Sequence, residues 1–476
     1  MLPDGLAAIV KRDCPTCTLV APVLAELRER ADAPVTVYSQ DDPTFPEQIG
    51  GAIDDTNLEV SFALDLDTVP TLLRVIDGEE VARTVGWSRE RWEALTGVGN
   101  LGETLPPHRP GCGSRTRDPA IAGARAVAEG ATGLQARRVH LGAEEDELEA
   151  MFERGWSDGL PLVPPTPERV VRMLAGTTRA PDEVVTIVPP DLVECTVEKV
   201  AINAVMAGCR PEYLPVVLAA VEAACTDDFN MHGLLATTYF SGPVVVVNGP
   251  IAPAIGMNND VNALGPGNRA NATIGRALQL VVRNVGGGRP GGVDRATLGQ
   301  PGKYTFCFAE REDTSWGTLA EERGIPRAKS AVTVFAGEGV RGVVDQISRV
   351  PESLTRTFAE CLRATAHPKL AIAFDAMLVI SPEHLRVYEE AGWSRSRFRE
   401  ELGALLTMSG SEHARGTRGI AEGMPEAFAE VPLPKFREGG MLIAHAGGGA
   451  GLFSAIVGGW VSGAMGSQPV TLEVRA

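Results

Sequence analysis

The alternation of apolar and polar positions divides the first 97 residues into a succession of strands and helices. The run Leu6-Ala7-Ala8-Ile9-Val10 is continuously apolar, which is typical of a buried strand. Between Leu19 and Leu27 the apolar positions recur at helical spacing, which predicts a helix. The full pattern predicts strands at 6–12, 34–39, 71–76 and 80–85, and helices at 15–30 and 88–96. The predicted order is therefore βαβ followed by ββα.

Two cysteines, Cys14 and Cys17, lie where the first predicted strand ends and the first predicted helix begins. The unpaired N–H groups and the dipole at a helix N-terminus stabilise a thiolate on the first of them. The second cysteine lies one turn further on, close enough to form a disulfide with the first. The pair therefore predicts a reversible two-electron thiol–disulfide switch.

Other residues of this unit fall into a known pattern. Pro22 lies five positions after Cys17, the segment Val69-Pro70-Thr71 precedes the third strand, and Gly86 follows the last one. With the strand order and the dithiol, these features make residues 1–97 similar to the thioredoxin superfamily. The resemblance implies that Val69 and Pro70 form a cis-proline segment, which lies beside the dithiol and helps to bind partner thiols.

Two positions depart from that family pattern. Ala8 stands where many thioredoxins carry a buried acid that helps to deprotonate the second cysteine. Asp13 precedes Cys14 in place of a tryptophan, and its negative charge opposes thiolate formation. We therefore expect dithiol chemistry toward a dedicated client rather than general reductase activity.

The composition changes after residue 97. Residues 98–142 are rich in Gly, Pro, Arg and Ala with little apolar periodicity, which is typical of a linker. Cys112 lies in this segment, and we expect it to be exposed and available as a third redox thiol. Residues 143–476 alternate between helical and strand patterns, which predicts a second, larger α/β or α+β domain. Its predicted helices include 144–154, 167–175, 196–207, 213–225 and 270–284, and its strands 243–248, 303–309, 331–336, 370–380 and 440–445.

A loop rich in glycine and asparagine precedes the predicted helix 270–284. The free N–H groups of that helix and the charge of Arg269 suit a carboxylate or phosphate. The candidate anion-binding residues are Gly265, Gly267, Asn268 and Arg269. Glycine and asparagine are also ordinary loop residues that tolerate positive φ, so a purely structural loop remains the alternative.

A second glycine-rich turn, 446–451, follows the predicted strand 440–445 and precedes the apolar stretch 452–459. This order predicts a strand, a glycine turn and a helix. His445 ends the strand, and it is the histidine that we most expect to lie near a site. A structural role for this histidine is the alternative.

The cysteines of the large domain show no metal-ligand spacing, and single buried cysteines are usually small apolar fillers. Cys307, between aromatic residues, fits that description. Cys209 lies between two predicted helices beside Arg210, where we expect an accessible thiol with a lowered pKa. Cys209 is therefore the first candidate for a second reactive thiol.

The large domain also resembles an uncharacterised bacterial domain family. The matching stretches are 155–161, 203–213 and 265–276. That family is loosely associated with neighbours bearing a selenocysteine- or cysteine-Gly-Ser-Cys motif, which agrees with thiol chemistry. The resemblance implies no reaction and no catalytic residues.

Charge and composition restrict the partners. The chain carries 61 acidic against 44 basic residues, a net charge of −17, which disfavours nucleic acid and anionic membranes. The sequence contains no run of about 18 apolar residues, so it predicts no membrane-spanning helix. The eight cysteines do not form a secreted disulfide framework, so we expect a cytoplasmic protein. We expect neither a cofactor nor a metal.

The favoured prediction is a thiol–disulfide oxidoreductase in which Cys14 attacks and Cys17 resolves the mixed disulfide. Its client is a thiol of its own C-terminal domain or another dedicated partner. The alternative is that the C-terminal domain is an enzyme or binding module for a small anionic metabolite. In that alternative the thioredoxin-like domain is a docking module.

Overall fold

The computed structural model describes residues 2–118, 121, 133–142, 145–415, 422–463 and 466–475. The chain divides into two compact units, Met1–Thr132 and Gly133–Ala476. Both units combine helices with strands, so the fold is mixed α/β. Much of the Ala-rich part of the predicted linker, and the predicted start of the large domain at residue 143, lie outside the described residues.

The first unit contains a mixed five-stranded sheet with the order β3-β2-β1-β5-β6. The described strands of the whole unit, including those outside this sheet, are β1 (Gly5–Val10), β2 (Val35–Ser39), β3 (Ile53–Asp54), β4 (Thr68–Val69), β5 (Thr71–Ile76), β6 (Glu79–Val85), β7 (Trp87–Ser88), β8 (His108–Arg109) and β9 (Cys112–Gly113). Its helices are α1 (Pro15–Arg30), α2 (Glu59–Ala63) and α3 (Arg89–Thr96). β1 pairs in parallel with β2 and antiparallel with β5, as expected for a βαβ unit followed by a hairpin.

The core of the first unit forms around β1, whose residues Leu6–Val10 are at most 1% exposed. Apolar residues of α1, among them Val20 and Leu24, pack against this sheet in the same cluster. Trp87 and Trp92 add an edge-to-face pair with ring centroids 5.1 Å apart. The central strand is thus covered on both faces, which explains its continuous apolar run.

Residues 98–117 belong to the first unit and are held by short strand pairs together with side-chain hydrogen bonds. β8 pairs antiparallel with β7, and β9 pairs antiparallel with β4. Leu101 is fully buried in the core of this unit. The boundary that composition places at residue 97 therefore falls inside the unit, because backbone pairing needs no apolar periodicity.

The second unit contains a larger set of elements. Its described helices are α4 (Glu147–Glu153), α5 (Pro167–Leu174), α6 (Val197–Ala207), α7 (Leu214–Ala224), α8 (Met231–Ala236), α9 (Ile251–Ala254), α10 (Arg269–Asn284), α11 (Leu319–Glu322), α12 (Pro351–Arg363), α13 (Pro382–Glu390), α14 (Arg395–Leu405) and α15 (Gly410–His413). Its described strands are β10 (Val184–Val188), β11 (Val193–Thr196), β12 (Gly242–Asn248), β13 (Cys307–Ala309), β14 (Ala331–Val344), β15 (Phe374–Ile380), β16 (Thr407–Ser409), β17 (Pro432–Pro434), β18 (Met441–His445), β19 (Phe453–Val461) and β20 (Val470–Glu473).

A seven-stranded sheet organises this unit, with the order β13-β12-β14-β19-β15-β18 and with β20 also paired to β14. The first half of β14 pairs with β12 and β20, and its second half pairs with β19. The register shifts between Gly337 and Val340, where β14 passes from one half of the sheet to the other. The long strand therefore joins two half-sheets.

The two half-sheets pack face to face, and helices cover their outer faces. Val244 and Val246 of β12 share one core cluster with Met377 and Val379 of β15. The intervening residues of β12 pack with α6, α7 and α10, and those of β15 pack with α12, α13 and α14. This alternation produces four layers, helix–sheet–sheet–helix.

The apolar stretch 452–459 is a strand, so the helix expected there is wrong. β19 occupies the middle of its half-sheet, between β14 and β15. Ile456 and Val457 are fully buried on opposite faces, which removes the alternation that marks a half-exposed strand. A short apolar run of this kind does not distinguish a buried strand from a helix.

No helix among the described residues is long and apolar enough to cross a membrane.

A candidate dithiol site in the first unit

Cys14 occupies the N-cap position of α1, and the loop before it is fixed by one carboxylate. Asp41 accepts hydrogen bonds from the N–H groups of Arg12 and Asp13, at 2.7 and 2.9 Å. α1 then begins at Pro15, whose fixed φ suits the first helical position. The Cys14 side chain takes the place of a polar cap and accepts a hydrogen bond from the Cys17 N–H at 3.3 Å.

This environment favours a thiolate on Cys14. The pKa of Cys14 falls to about 5, first because the Cys17 thiol hydrogen-bonds to the Cys14 sulfur. The Cys112 thiol and the N–H groups of Cys17 and Thr16 lower this pKa further, and together they outweigh the effect of burial. Asp13 is exposed, where water screens its charge. Cys14 is therefore the more acidic thiol of the pair.

Cys17 is held as a thiol. Its pKa is strongly raised, first by burial and then by the neighbouring Cys14 sulfur. The N–H of Lys11 donates weakly to the Cys17 sulfur at 3.5 Å. Ala8 is fully buried in β1 and offers no carboxylate to accept the Cys17 proton. The two thiols therefore differ in acidity: the surroundings favour the thiolate of Cys14 and the protonated thiol of Cys17.

The segment Val69–Pro70 lies beside the dithiol. The Val69–Pro70 peptide bond is cis. The Cys14 sulfur lies 3.6 Å from the Val69 carbonyl oxygen, to which it donates a hydrogen bond in its protonated form. Val69 also pairs directly with Cys112 across the two strands β4 and β9. Val69 thus contacts Cys14 and also positions Cys112.

Residues 106–113, which we call the strap, run next to the dithiol and are fastened along their length. The Trp87 indole donates to the Pro106 carbonyl at 2.6 Å. The Thr16 hydroxyl, within the Cys14–Cys17 turn, donates to the Pro110 carbonyl at 2.7 Å. With the strap in this position, Cys14 is only 1% exposed.

Gly111 makes the close approach of the strap possible. A Cβ atom at this position would lie 2.4 Å from the Thr68 methyl carbon and 2.8 Å from the Val69 carbonyl oxygen. At Gly113, two residues later, a Cβ atom would meet nothing within 4 Å. Any side chain at 111 must therefore move the strap away from Val69.

A buried polar network holds the chain directly after the strap. The Gln40 amide donates to the hydroxyls of Ser61 and Ser114, both at 2.8 Å. The same side chain accepts from the Arg115 N–H at 3.1 Å. Gln40 and Ser61 are fully buried, so these hydrogen bonds are shielded from competing water.

The structure corrects the expectation that Cys112 is freely exposed. Its side chain is half-buried, and its thiol hydrogen-bonds to the Cys14 sulfur. Burial, followed by the nearby Cys14, raises the pKa of Cys112. The local sequence around Cys112 is that of a linker, so only the long-range pairing with Val69 reveals this contact.

The structure also contradicts the expectation that Cys209 is accessible. Its side chain is 7% exposed, and its thiol donates to the Thr273 carbonyl at 3.4 Å. Burial raises the pKa of Cys209 to about 12, although Thr273 and Arg269 oppose the shift. Cys307, the predicted apolar filler, is buried as well.

In the predicted anion loop, the polar side chains already form hydrogen bonds within the protein. Asn268 caps α10 by accepting from the Asn271 N–H at 3.0 Å, and its amide donates to the Gly256 carbonyl at 2.8 Å. Arg269 donates to the Gly208 carbonyl at 2.9 Å. Gly265 closes a turn onto the Asn262 carbonyl, and Gly267 has a φ of +120°.

A second polar cluster, centred on the buried Glu310, is absent from the sequence predictions. Its carboxylate accepts from the Asn248 amide at 2.6 Å, the Leu319 N–H at 2.7 Å and the His445 N–H at 3.2 Å. Burial raises the pKa of Glu310 to about 7 despite these hydrogen bonds. A lone glutamate after a short strand carries no local signal of this environment.

His445 lies beside Glu310 with its ring in the core. The side chain is 1% exposed, and both ring nitrogens are buried without a hydrogen-bond partner among the described residues. Its ring packs edge-to-face on Trp316, with centroids 5.8 Å apart. Burial, followed by the charge of Arg395, lowers the pKa of His445 to about 3, so the ring is neutral.

A cavity of about 540 Å³ opens next to Glu310. Its polar lining consists of Asn259, Asp260, Glu310, Arg311, Glu312, Asp313 and Arg327. Arg311 already pairs with Asp313 at 2.7 Å and with Asp260 at 3.5 Å. The Glu312 carboxylate accepts hydrogen bonds from the Gly249 backbone N–H at 2.7 Å and from the Asn248 side-chain amide at 3.0 Å. It forms no ion pair within the described part of the chain.

Within the described ranges, no group of three or more His, Cys, Asp or Glu residues is placed to hold a metal ion. No protein-family model matches this sequence, and no curated protein matches it.

Proposed function

We propose that this protein is a thiol–disulfide oxidoreductase whose first unit is a thioredoxin-like domain with Cys14 and Cys17 as its redox pair. The observation that carries the proposal is the asymmetry of the two thiols. Cys14 caps a helix and has a pKa of about 5, whereas burial strongly raises the pKa of Cys17. The sheet order and the segment Val69–Pro70 beside the dithiol support the same assignment.

The reaction transfers two electrons to a client disulfide. A thiolate attacks one sulfur of the client, forms a mixed disulfide and releases the first client thiolate, which takes up a proton. Resolution then forms the Cys14–Cys17 disulfide and releases the second client thiol. A dithiol reductant returns the pair to its reduced state by the same exchange steps.

The structure bears on the choice of client inside the chain. Cys209 and Cys307 are both buried, and burial raises the pKa of each. Thiols of this kind exchange slowly, because the thiolate is the reacting species. We therefore favour a client disulfide that contains neither Cys209 nor Cys307.

Turnover with a small disulfide tests the proposal. Glutathione disulfide is the substrate, dithiothreitol the reductant, and the full chain the catalyst. We expect catalysis by the wild type and none by Cys14→Ser/Cys17→Ser. The matched control is Cys225→Ser/Cys361→Ser, which removes two half-buried thiols of the large unit and retains activity. Equal activity of the wild type and the Cys14→Ser/Cys17→Ser variant would contradict the proposal.

A second proposed function, binding of a small molecule by the large unit, is supported by the cavity beside Glu310. The cavity overlaps the glycine- and asparagine-rich loop at Asn259 and Asp260. Its lining carries four carboxylates, of Asp260, Glu310, Glu312 and Asp313, against the guanidinium groups of Arg311 and Arg327, and both arginines are already paired. These charges favour a cationic or neutral polar ligand rather than the anion expected from the sequence.

Two probes of opposite charge test this second function. Agmatine and succinate are added at equal ionic strength, and the unfolding temperature of the full chain is measured. We expect agmatine alone to raise this temperature, because a ligand that binds only the native state stabilises it. The effect should be lost in Glu312→Gln. Stabilisation by succinate, or an undiminished agmatine effect in Glu312→Gln, would contradict binding in this cavity.

A further inference from the structure

Resting on the proposed function, we infer that Cys112 is a third redox thiol, which exchanges with the client and passes the disulfide to Cys14. The inference comes from the position of the strap. Val69 contacts the Cys14 sulfur at 3.6 Å and pairs with Cys112, whereas the Cys17 N–H donates to the Cys14 sulfur at 3.3 Å, so Cys14 lies between the other two cysteines. The three sulfurs therefore form a relay from the half-buried Cys112 to the fully buried Cys17.

The strap separates Cys14 from solvent. Cys14 is 1% exposed, whereas Cys112 retains an accessible surface. A client disulfide can reach Cys14 directly only if the strap detaches. Detachment would break the Thr16–Pro110 hydrogen bond and the pairing of Val69 with Cys112.

The chain on either side of the strap opposes such detachment. Before it, the Arg89 guanidinium donates to the Leu101, Gly102 and Leu105 carbonyls at 2.6–2.9 Å. After it, Ser114 is held in the buried network of Gln40. These contacts keep Cys112 against Cys14, so transfer through Cys112 requires no large motion.

The relay balances in atoms and electrons. Cys112, which starts as a thiol, attacks one sulfur of a client disulfide and forms a Cys112–client bond, and the client sulfur that leaves takes up the Cys112 proton. The Cys14 thiolate then attacks the Cys112 sulfur, and the second client thiolate leaves. Cys17 finally attacks Cys14, and its proton passes to the departing Cys112, which is thereby restored as a thiol. The net change is reduction of one client disulfide to two thiols and oxidation of Cys14 and Cys17 to a disulfide.

The local electrostatics favour the last step. The Cys14 sulfur is one cause of the raised pKa of Cys17, after burial. Once Cys14 is part of a disulfide, it no longer carries a negative charge, and this contribution disappears. Cys17 therefore becomes easier to deprotonate when Cys14 is linked to Cys112.

Trapping of the intermediate tests the relay. The full-length Cys17→Ser variant is incubated with a small excess of glutathione disulfide, then alkylated, digested without reduction and analysed by mass spectrometry. We expect a Cys14–Cys112 disulfide. A product with glutathione on Cys14 and a free, alkylated Cys112 would overturn the relay.

Kinetics of the wild type and Cys112→Ser provide the second readout. We expect reduction of glutathione disulfide to slow by about 100-fold in Cys112→Ser, while direct oxidation of the pair by the small oxidant diamide still yields Cys14–Cys17. Unchanged or faster reduction by Cys112→Ser would overturn the relay and identify the strap as a cover alone. Failure of the wild type to form Cys14–Cys17 with either oxidant would instead refute the proposed function.

Discussion

Val69 and Cys112 face each other across the antiparallel pairing of β4 and β9. The Val69 carbonyl oxygen lies 3.6 Å from the Cys14 sulfur, so the pairing places Cys112 next to the candidate nucleophile. A cysteine 98 positions away along the chain thereby becomes part of the environment of Cys14.

Replacement of Cys112 by alanine should raise the pKa of Cys14, because the Cys112 hydrogen bond is one of the causes that lower it. Alanine is used because serine would retain a donor. We expect a shift of about one pKa unit, measured from thiolate absorbance as a function of pH. Cys361→Ala is the matched control. An unchanged Cys14 pKa would show that the two thiols do not interact.

Gly111→Ala should expose Cys14, because the new Cβ atom would collide with Thr68 and Val69. We expect alkylation of Cys14 by iodoacetamide to accelerate by about tenfold at constant pH, since access now limits the reaction. Gly113→Ala is the control, because its Cβ atom meets no neighbour. Equal rates in the two variants would contradict the close packing of the strap.

Glu310 should make the large unit less stable as the pH rises from about 4.5 to 7. Burial raises the pKa of Glu310 to about 7 in the folded protein, so in this window the folded state binds more protons than the unfolded state. The loss is on the order of 3 kcal/mol across the window. Urea unfolding at several pH values measures it.

The control for that pH dependence is Glu310→Gln, which cannot titrate. This variant should be less stable overall, because an amide supplies one acceptor oxygen fewer for the Asn248, Leu319 and His445 donors. Its stability should vary less with pH than that of the wild type. A pH profile with the same slope in both proteins would assign the titration to another group.

Arg276→Met should destabilise the large unit. Arg276 binds Asp158 through two hydrogen bonds, at 2.8 and 2.7 Å, and both side chains are 13% exposed. Loss of the arginine leaves the carboxylate of Asp158 with little compensation, which we expect to cost about 3 kcal/mol in urea unfolding. Arg276→Met/Asp158→Asn should lose less than the sum of the two single variants. Additive losses would show that the pair is not coupled.

The elements of the first unit could be read from the sequence because local signals agree there. The spacing of Leu19 to Leu27 and the proline after Cys14 define α1 at the residues observed, Pro15–Arg30. The predicted strand 71–76 coincides with β5. Each of these elements either has one buried face or is bounded by turn residues, so periodicity and turn residues locate its ends.

The parts that escaped prediction depend on contacts distant in sequence. β19 is covered on both faces, so its residues carry no periodic signal. Cys112 lies in a segment held by backbone pairing, and Cys209 is buried by helices packed around it. The accessibility of a thiol is a tertiary property, and neighbouring residues such as Arg210 do not determine it.

The central claim is that Cys14 and Cys17 form a two-electron couple, and equilibrium oxidation measures it most directly. The wild type is equilibrated over a series of glutathione redox buffers, and the free thiols are alkylated and located by mass spectrometry. We predict that Cys14 and Cys17 lose alkylation together along a two-electron Nernst curve. Cys112 should be a free thiol in both the most reducing and the most oxidising buffer. Cys14 and Cys17 that stay alkylated in fully oxidising buffer would contradict it.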